Sequence, residues 1–187
     1  MKETGILFTP ENHRAILNKT KWQTRRVMNP QPYFENNGQL WWKWSKYRGC
    51  SCVEPSGSVS DEWFDHCPQG RVGDKLYVKE GVIIHADGRT LAGYYMDGAR
   101  VTNLGEKRLT AMFMAKRFAR TWLEITDVRV ERVQDISEED CIAEGCPKEY
   151  LLGVSWYKNL WDEINGKTHP WSENSWVWAI SFKLVKP

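Results

Sequence analysis

The chain has 187 residues, 41% of them apolar, which suits one domain, or one domain with an insertion, around one real core. A net charge of +2 excludes no class of partner, whereas the lack of any run of about 18 apolar residues argues against a membrane helix. "MKETGILFTP" lacks the apolar stretch of a signal peptide and the five cysteines are odd in number, so a cytoplasmic protein with reduced thiols is expected.

In chain order, "TGILF" reads as a short strand. Thr9 is a good N-cap, with Pro10 at the first helical position and Glu11 facing the positive end of the dipole, so a short helix is predicted to about Asn18. "KTKWQTRRV" over 19–27 follows as a turn and a strand. From 30 to 70 proline, glycine and asparagine recur around "LWWKWSKYRGCSC", which predicts an irregular insertion with a hairpin in its middle.

After Gly73-Asp74, "KLYVKEGVII" alternates as one strand and places Glu80 on an otherwise apolar face with Leu76, Val78 and Val82, so a buried or pocket-lining carboxylate is expected. Asp87-Gly88 and Asp97-Gly98 mark hairpin turns. "TWLEITDVRVERV" reads as a long strand, and Ser137 with Asp140 as a capping box whose helix stops at Gly145. A second helix presents Trp156, Leu160, Trp161 and Ile164 on one face and ends near Gly166. "SWVWAISFKL" closes as a strand with Trp176, Trp178, Ile180, Phe182 and Leu184 on an apolar face. Many strands with few short helices predict an α+β fold, mainly β: a small barrel or curved sheet with helices closing its ends.

Charge is unevenly spread. Residues 1–48 hold nine Lys and Arg against three Glu, while 131–144 hold six acidic residues against Arg132 alone. Such asymmetry is compatible with a basic face for phosphates.

Lys21-x-x-Thr24-x-Arg26, after a helix ending "ILNKT", resembles the G-x-K-x-x-T-x-R signature of ASCH domains, PUA-like barrels associated with RNA. "GDKLYVKE", "LEITDVRVERVQDISEEDCIAEG" and "WVWAISFKL" are similar, in the same order, to that family's glycine-aspartate turn and strand, its long strand and acidic helix, and its last strand. The likeness covers most of the chain outside 30–66 and is nearest to longer phage and prophage members. Asn18, where the signature often has glycine, and the insertion depart from it.

The resemblance implies a PUA-like barrel and an RNA-related pocket. Some members hydrolyse N4-acetylcytidine with a lysine as proton acceptor, a threonine as nucleophile and a glutamate as proton donor; Lys21, Thr24 and Glu144 match those positions. The chemistry asks for a neutral amine beside the hydroxyl, favoured by burial against Trp22 and by the nearby Arg25 and Arg26. Arg26 would hold an oxyanion or a phosphate, and Arg25 is expected to point outward and to contact nucleic acid. Strict alternation puts Thr24 and Arg26 on one face and Lys21 on the other, so the trio converges only if the strand begins after Lys21.

Trp41, Trp42 and Trp44, interleaved with Lys43 and Lys46, have the composition of a base-stacking surface; alternatively the tryptophans pack inward. Cys50, Cys52, His66 and Cys67 would make a tetrahedral zinc set or remain structural thiols; no cofactor is required. The expected pocket, lined by Lys21, Trp22, Thr24, Arg26, Glu80 and Glu144, takes an RNA base or a modified nucleoside. DNA as the polymer, a non-catalytic binder, a ribonuclease or a protein-interaction module stay open as alternatives.

Overall fold

The computed structural model describes residues 1–36, 39–43, 50–51, 61–147, 149–150 and 152–186, with the backbone alone for Cys50, Ser51, Asp61 and Glu62. Strand β1 (Glu3–Leu7) leads into helix α1 (Pro10–Leu17), where the Thr9 side chain accepts from Asn12 N–H as predicted. Strand β2 spans Gln23–Val27. The insertion contributes β3 (Tyr33–Phe34), β4 (Leu40–Trp42), β5 (Cys50–Ser51) and α2 (Asp61–Asp65). Then come β6 (Lys75–Lys79), β7 (Val82–Ile84), β8 (Leu91–Tyr94), β9 (Lys107–Leu109) and the long β10 (Trp122–Arg132). Helices α3 (Glu138–Ala143) and α4 (Gly153–Asn165) precede β11 (Trp176–Val185).

The fold is thus mixed α+β and mainly strands. The central sheet has the order β1-β6-β10-β11-β2, with β1 parallel to β6 and the other pairs antiparallel. No backbone ladder joins β1 to β2 among the described residues, so the expected barrel is seen there as an open sheet with those two strands as its edges. No helix among the described residues is long and apolar enough to cross a membrane.

The main core packs Ile16, Leu76, Val78, Leu123, Ile125, Trp178 and Ile180 against insertion residues Trp42 and Trp63. A second cluster, with Val133, Cys141, Tyr157, Trp161 and Val177, lies under α3 and α4. β11 therefore buries Val177 and Ala179 as well as Trp178 and Ile180, because helices cover the face that alternation leaves for solvent. Leu184, expected on its apolar face, is 42% exposed.

Two elements depart from the expected pattern. "KLYVKEGVII" is not one strand: it breaks at Glu80-Gly81, where β6 stays in the central sheet and β7 enters the separate sheet β8-β7-β9. In α4 the buried face turns on Tyr157 and Trp161, and Ile164 is 49% exposed.

A β-bulge between Ile125 and Asp127 matters most for the site. Before it the odd-numbered Leu123 and Ile125 join the main core; after it Val128 and Val130 do. The extra residue reverses the alternation and turns Arg129 and Glu131 to the α3 side of the sheet.

Candidate active site

β2 begins at Gln23, so Lys21 lies in the link before the strand and is free of its alternation. Lys21 N–H donates to Ala15 O at the end of α1, and Trp22 N–H to Ala143 O at the end of α3. These bonds turn the Lys21 side chain inward, where it is 3% exposed. Its Nζ donates to the Glu144 Oε2 at 2.5 Å and to the Glu144 carbonyl at 2.7 Å. Glu144 is placed by the end of α3: the Ser137 side chain caps the helix start, and Gly145 takes the left-handed φ of 100° that ends it.

Lys21, Thr24, Arg26 and Glu144 line one cavity of about 510 Å³. It runs along the free edge of β2, four of whose residues, Thr24 to Val27, line it, and it is bounded across the gap by Leu7 and Phe8 and from above by Tyr157, Leu160 and Ile164 of α4. Where the backbone ladder does not close, a side chain does: Arg26 Nη2 donates to Leu7 O at 2.5 Å, with the guanidinium 5.0 Å from the Phe8 ring. Arg26 Nε is buried without a partner among the described residues.

Arg25 corrects an expectation. Its side chain is fully buried rather than outward-facing. It donates to Glu131 Oε1 (2.8 Å), Gln23 Oε1 (2.6 Å), Glu144 Oε1 (3.2 Å) and Asp140 Oδ2 (2.7 Å), and its guanidinium lies 5.6 Å from the Tyr157 ring centre. Two features permit this: the bulge in β10 presents Glu131, and the β11 residue opposite both Arg25 and Arg129 is the small Ala179. Arg129 adds a further bond to Asp140, at 2.9 Å.

Burial pushes the Lys21 amine below its ordinary value; Glu144 opposes this, and Arg26 and Arg25 reinforce it. Burial also works against the Arg25 charge, but Glu144, Glu131 and Asp140 outweigh it and hold the guanidinium protonated. The Tyr157 phenol is raised well above its usual range by burial and by Glu144, so it stays a neutral donor. Tyr157, Glu131, Asp140 and Gln23 escaped prediction. The available signal was the acidic run 131–144, which reads as surface until it is matched to the cations of 19–27.

Other expected residues lie elsewhere. Glu80 is buried but does not line the cavity; Arg120 clasps it with bonds of 2.8 Å from Nε and Nη2 and reaches Asp97 as well. Trp22 is 44% exposed and faces a different cleft, so it does not shield Lys21 from within the cavity. Trp42 is 1% exposed, its Nε1 donating to Pro30 O and its ring 5.2 Å from Trp178, so it packs inward and offers no base-stacking face. Trp41 is half-buried and Lys43 exposed, while Trp44 and Lys46 lie outside the described residues.

Of the zinc set, Cys52 and the Cys50 side chain also lie outside the described residues. His66 is exposed, and Cys67 is buried with its Sγ 3.6 Å from Gln69 Oε1. No group of three or more His, Cys, Asp or Glu able to hold a metal ion occurs among the described residues. Asn18, where glycine was expected, has an ordinary φ of −80°; the left-handed residue is Lys19, with φ 59°, so that is where a glycine would relieve strain.

No family model matches this sequence and no curated protein matches it closely. Among solved structures, the chain is similar over its whole length to 81% of protein EF3133 from Enterococcus faecalis V583, of family DUF984, at a TM-score of 0.47 and 10% identity. It is likewise similar over its whole length to 81% of an ASCH domain from Lactobacillus crispatus JV V101, at 0.44 and 13%. A hypothetical protein, PH0355, is matched over all of its length and 98% of this chain, at 0.40 and 12%.

Proposed function

We propose that this chain is an ASCH-type domain whose cavity takes a base-bearing ligand and hydrolyses an N-acyl group on a cytosine-like base. The observation that carries the reading is that Lys21, Thr24 and Glu144, separated by up to 123 positions, line one cavity with the Lys21 amine and Glu144 carboxylate in contact. A volume near 510 Å³ falls within the range of small-molecule sites and suits a nucleoside.

The Lys21–Glu144 pair holds the correct number of protons for this reaction. Moving one proton from Nζ to Oε2 turns an ion pair into an amine base and a carboxylic acid, and burial of the Lys21 amine favours its giving the proton up. Lys21 then takes the Thr24 hydroxyl proton as Oγ1 bonds to the acyl carbon. As the carbon–nitrogen bond breaks, the Glu144 acid protonates the departing amine, leaving ammonium and carboxylate. In the second half a water gives its proton to the Glu144 carboxylate and attacks the acyl carbon. Thr24 Oγ1 leaves with the proton from Lys21, which restores the starting pair. Arg26 Nε, unpartnered among the described residues, and the protonated Tyr157 are donors for the oxyanion.

Incubation with N4-acetylcytidine is expected to release cytidine, with Thr24→Ala lowering the rate at least about 100-fold. Absence of turnover, or a Thr24→Ala variant as active as the parent, overturns hydrolysis. A second reading, a pocket that binds without reacting, draws on the ionic cluster: Glu144 is tied to Arg25 at 3.2 Å as well as to Lys21 at 2.5 Å. Ligand binding by calorimetry without product separates the two.

A further inference from the structure

Two hydrogen bonds at the ends of β2 fix which way its main chain faces: Phe182 N–H donates to Trp22 O at 2.9 Å, and Met28 N–H to Trp176 O at 3.0 Å. In an antiparallel ladder a residue turns its N–H and C=O to the same side, and its two neighbours turn theirs to the other. With Thr24 opposite Ile180 and Arg26 opposite Trp178, residues 22, 24, 26 and 28 point their main-chain groups at β11. Gln23, Arg25 and Val27 point theirs at the open edge, where no strand among the described residues pairs with them.

Arg25 is the decisive residue of the three. Its side chain is fully buried among carboxylates, yet Arg25 lines the cavity and is 5% exposed, so what it shows the cavity is main chain. Neither its N–H nor its C=O has a hydrogen-bond partner among the described residues. The great majority of buried main-chain groups are paired. A donor and an acceptor left open side by side, next to Thr24 in the wall of a cavity, mark a place where a ligand docks.

We infer that the main chain of Arg25 reads the base of the ligand: its N–H donates to N3 of a cytosine ring, and its C=O accepts from the N4–H that acylation of N4 leaves in place. The inference rests on the base-bearing ligand proposed above and gives the cavity a recognition element that no side chain supplies. The edge of the ring offers an acceptor beside a donor, as the residue of a neighbouring strand would, and a flat ring enters the gap between β2 and β1 edge-on. An added polypeptide strand carries the same pattern. Arg26 argues against that occupant, because its guanidinium crosses the gap to Leu7 O and a strand could not run the length of the edge.

The test is titration of isotope-labelled parent protein with cytidine, which cannot be turned over and keeps both N3 and the N4 amine, followed by backbone amide resonances. The Arg25 amide is expected to move further than those of Thr24 and Arg26, which are held in the ladder. 3-Deazacytidine, with carbon in place of N3, and N4,N4-dimethylcytidine, with no N4–H, are each expected to bind at least about five-fold more weakly than cytidine. Failure of cytidine to bind at millimolar concentration, binding that leaves the Arg25 amide unmoved, or undiminished binding of either analogue overturns the inference. So does an Arg25 amide moved by an alternating Thr-Val hexapeptide and not by cytidine. Turnover of N4-acetylcytidine with an unmoved Arg25 amide sinks this inference alone, and a moved amide without turnover sinks the hydrolysis alone.

Discussion

Arg25 shows how much one buried cation can organise. Three carboxylates, from Glu131, Asp140 and Glu144, converge on it. Its removal leaves them facing one another with Arg129 and Lys21 as the remaining cations. Arg25→Met should therefore cost about 3–5 kcal/mol in urea denaturation, the cost of breaking a buried ionic network; a loss below about 1 kcal/mol would show that the cluster is solvated in solution. Lys21 makes a different prediction. Its amine is held below the ordinary 10.5, so between the folded and unfolded values the unfolded chain binds the extra proton and stability rises with pH. Compared with Lys21→Met, the parent should gain relative stability as the pH rises through the alkaline range towards 10.5. Paired urea titrations near neutrality and at the alkaline end measure this, and a difference that does not move with pH contradicts it.

At the scale of elements, the break after β6 carries the most structural consequence. Glu80 directly follows β6 and is clasped by Arg120, which precedes β10, while Gly81 lets the Tyr95 ring close over the link. A Cβ on Gly81 would lie 2.4 Å from the Tyr95 ring. Gly81→Ala should thus displace Tyr95 and loosen the β8-β7-β9 sheet, whose own small core is Val82, Ile84, Met114 and Phe118, while β1, β6, β10 and β11 keep theirs. Hydrogen exchange would read this as protection lost in 82–109 and retained in 122–132; uniform loss would mean that the two sheets unfold as one unit.

For the whole molecule, what was legible in the sequence is what local chemistry controls. Thr9, Ser137 and Gly145 mark helix ends because caps are satisfied by neighbours three or four residues away, and the long β10 and β11 announce themselves by β-branched and aromatic alternation. The placement of Lys21 before the strand was legible as a condition, and the hydrogen bonds to Ala15 and from Trp22 to Ala143 meet it. Arg25 was misread because burial of a guanidinium depends on residues 106 to 119 positions away, and because the bulge that aims Glu131 leaves no mark that periodicity can find. The basic residues 1–48, compatible in sequence with a face for phosphates, and acidic 131–144 partly neutralise each other inside the protein. Glu80 was rightly expected to be buried, but burial alone does not say beside which cavity.

The sheet order also sets a timetable. Among the described residues β2 pairs with β11 alone, Val27 lying opposite Val177, so as the chain leaves the ribosome β2 waits for its partner while some 150 residues are made, on the order of ten seconds. Throughout that interval Thr24 and Arg25 have no strand to order them, and Glu144 emerges before β11 does. The β2 side of the candidate catalytic group is therefore among the last parts of the fold to form, and a nascent chain stalled before residue 176 would carry every residue of the site but no partner strand for Thr24.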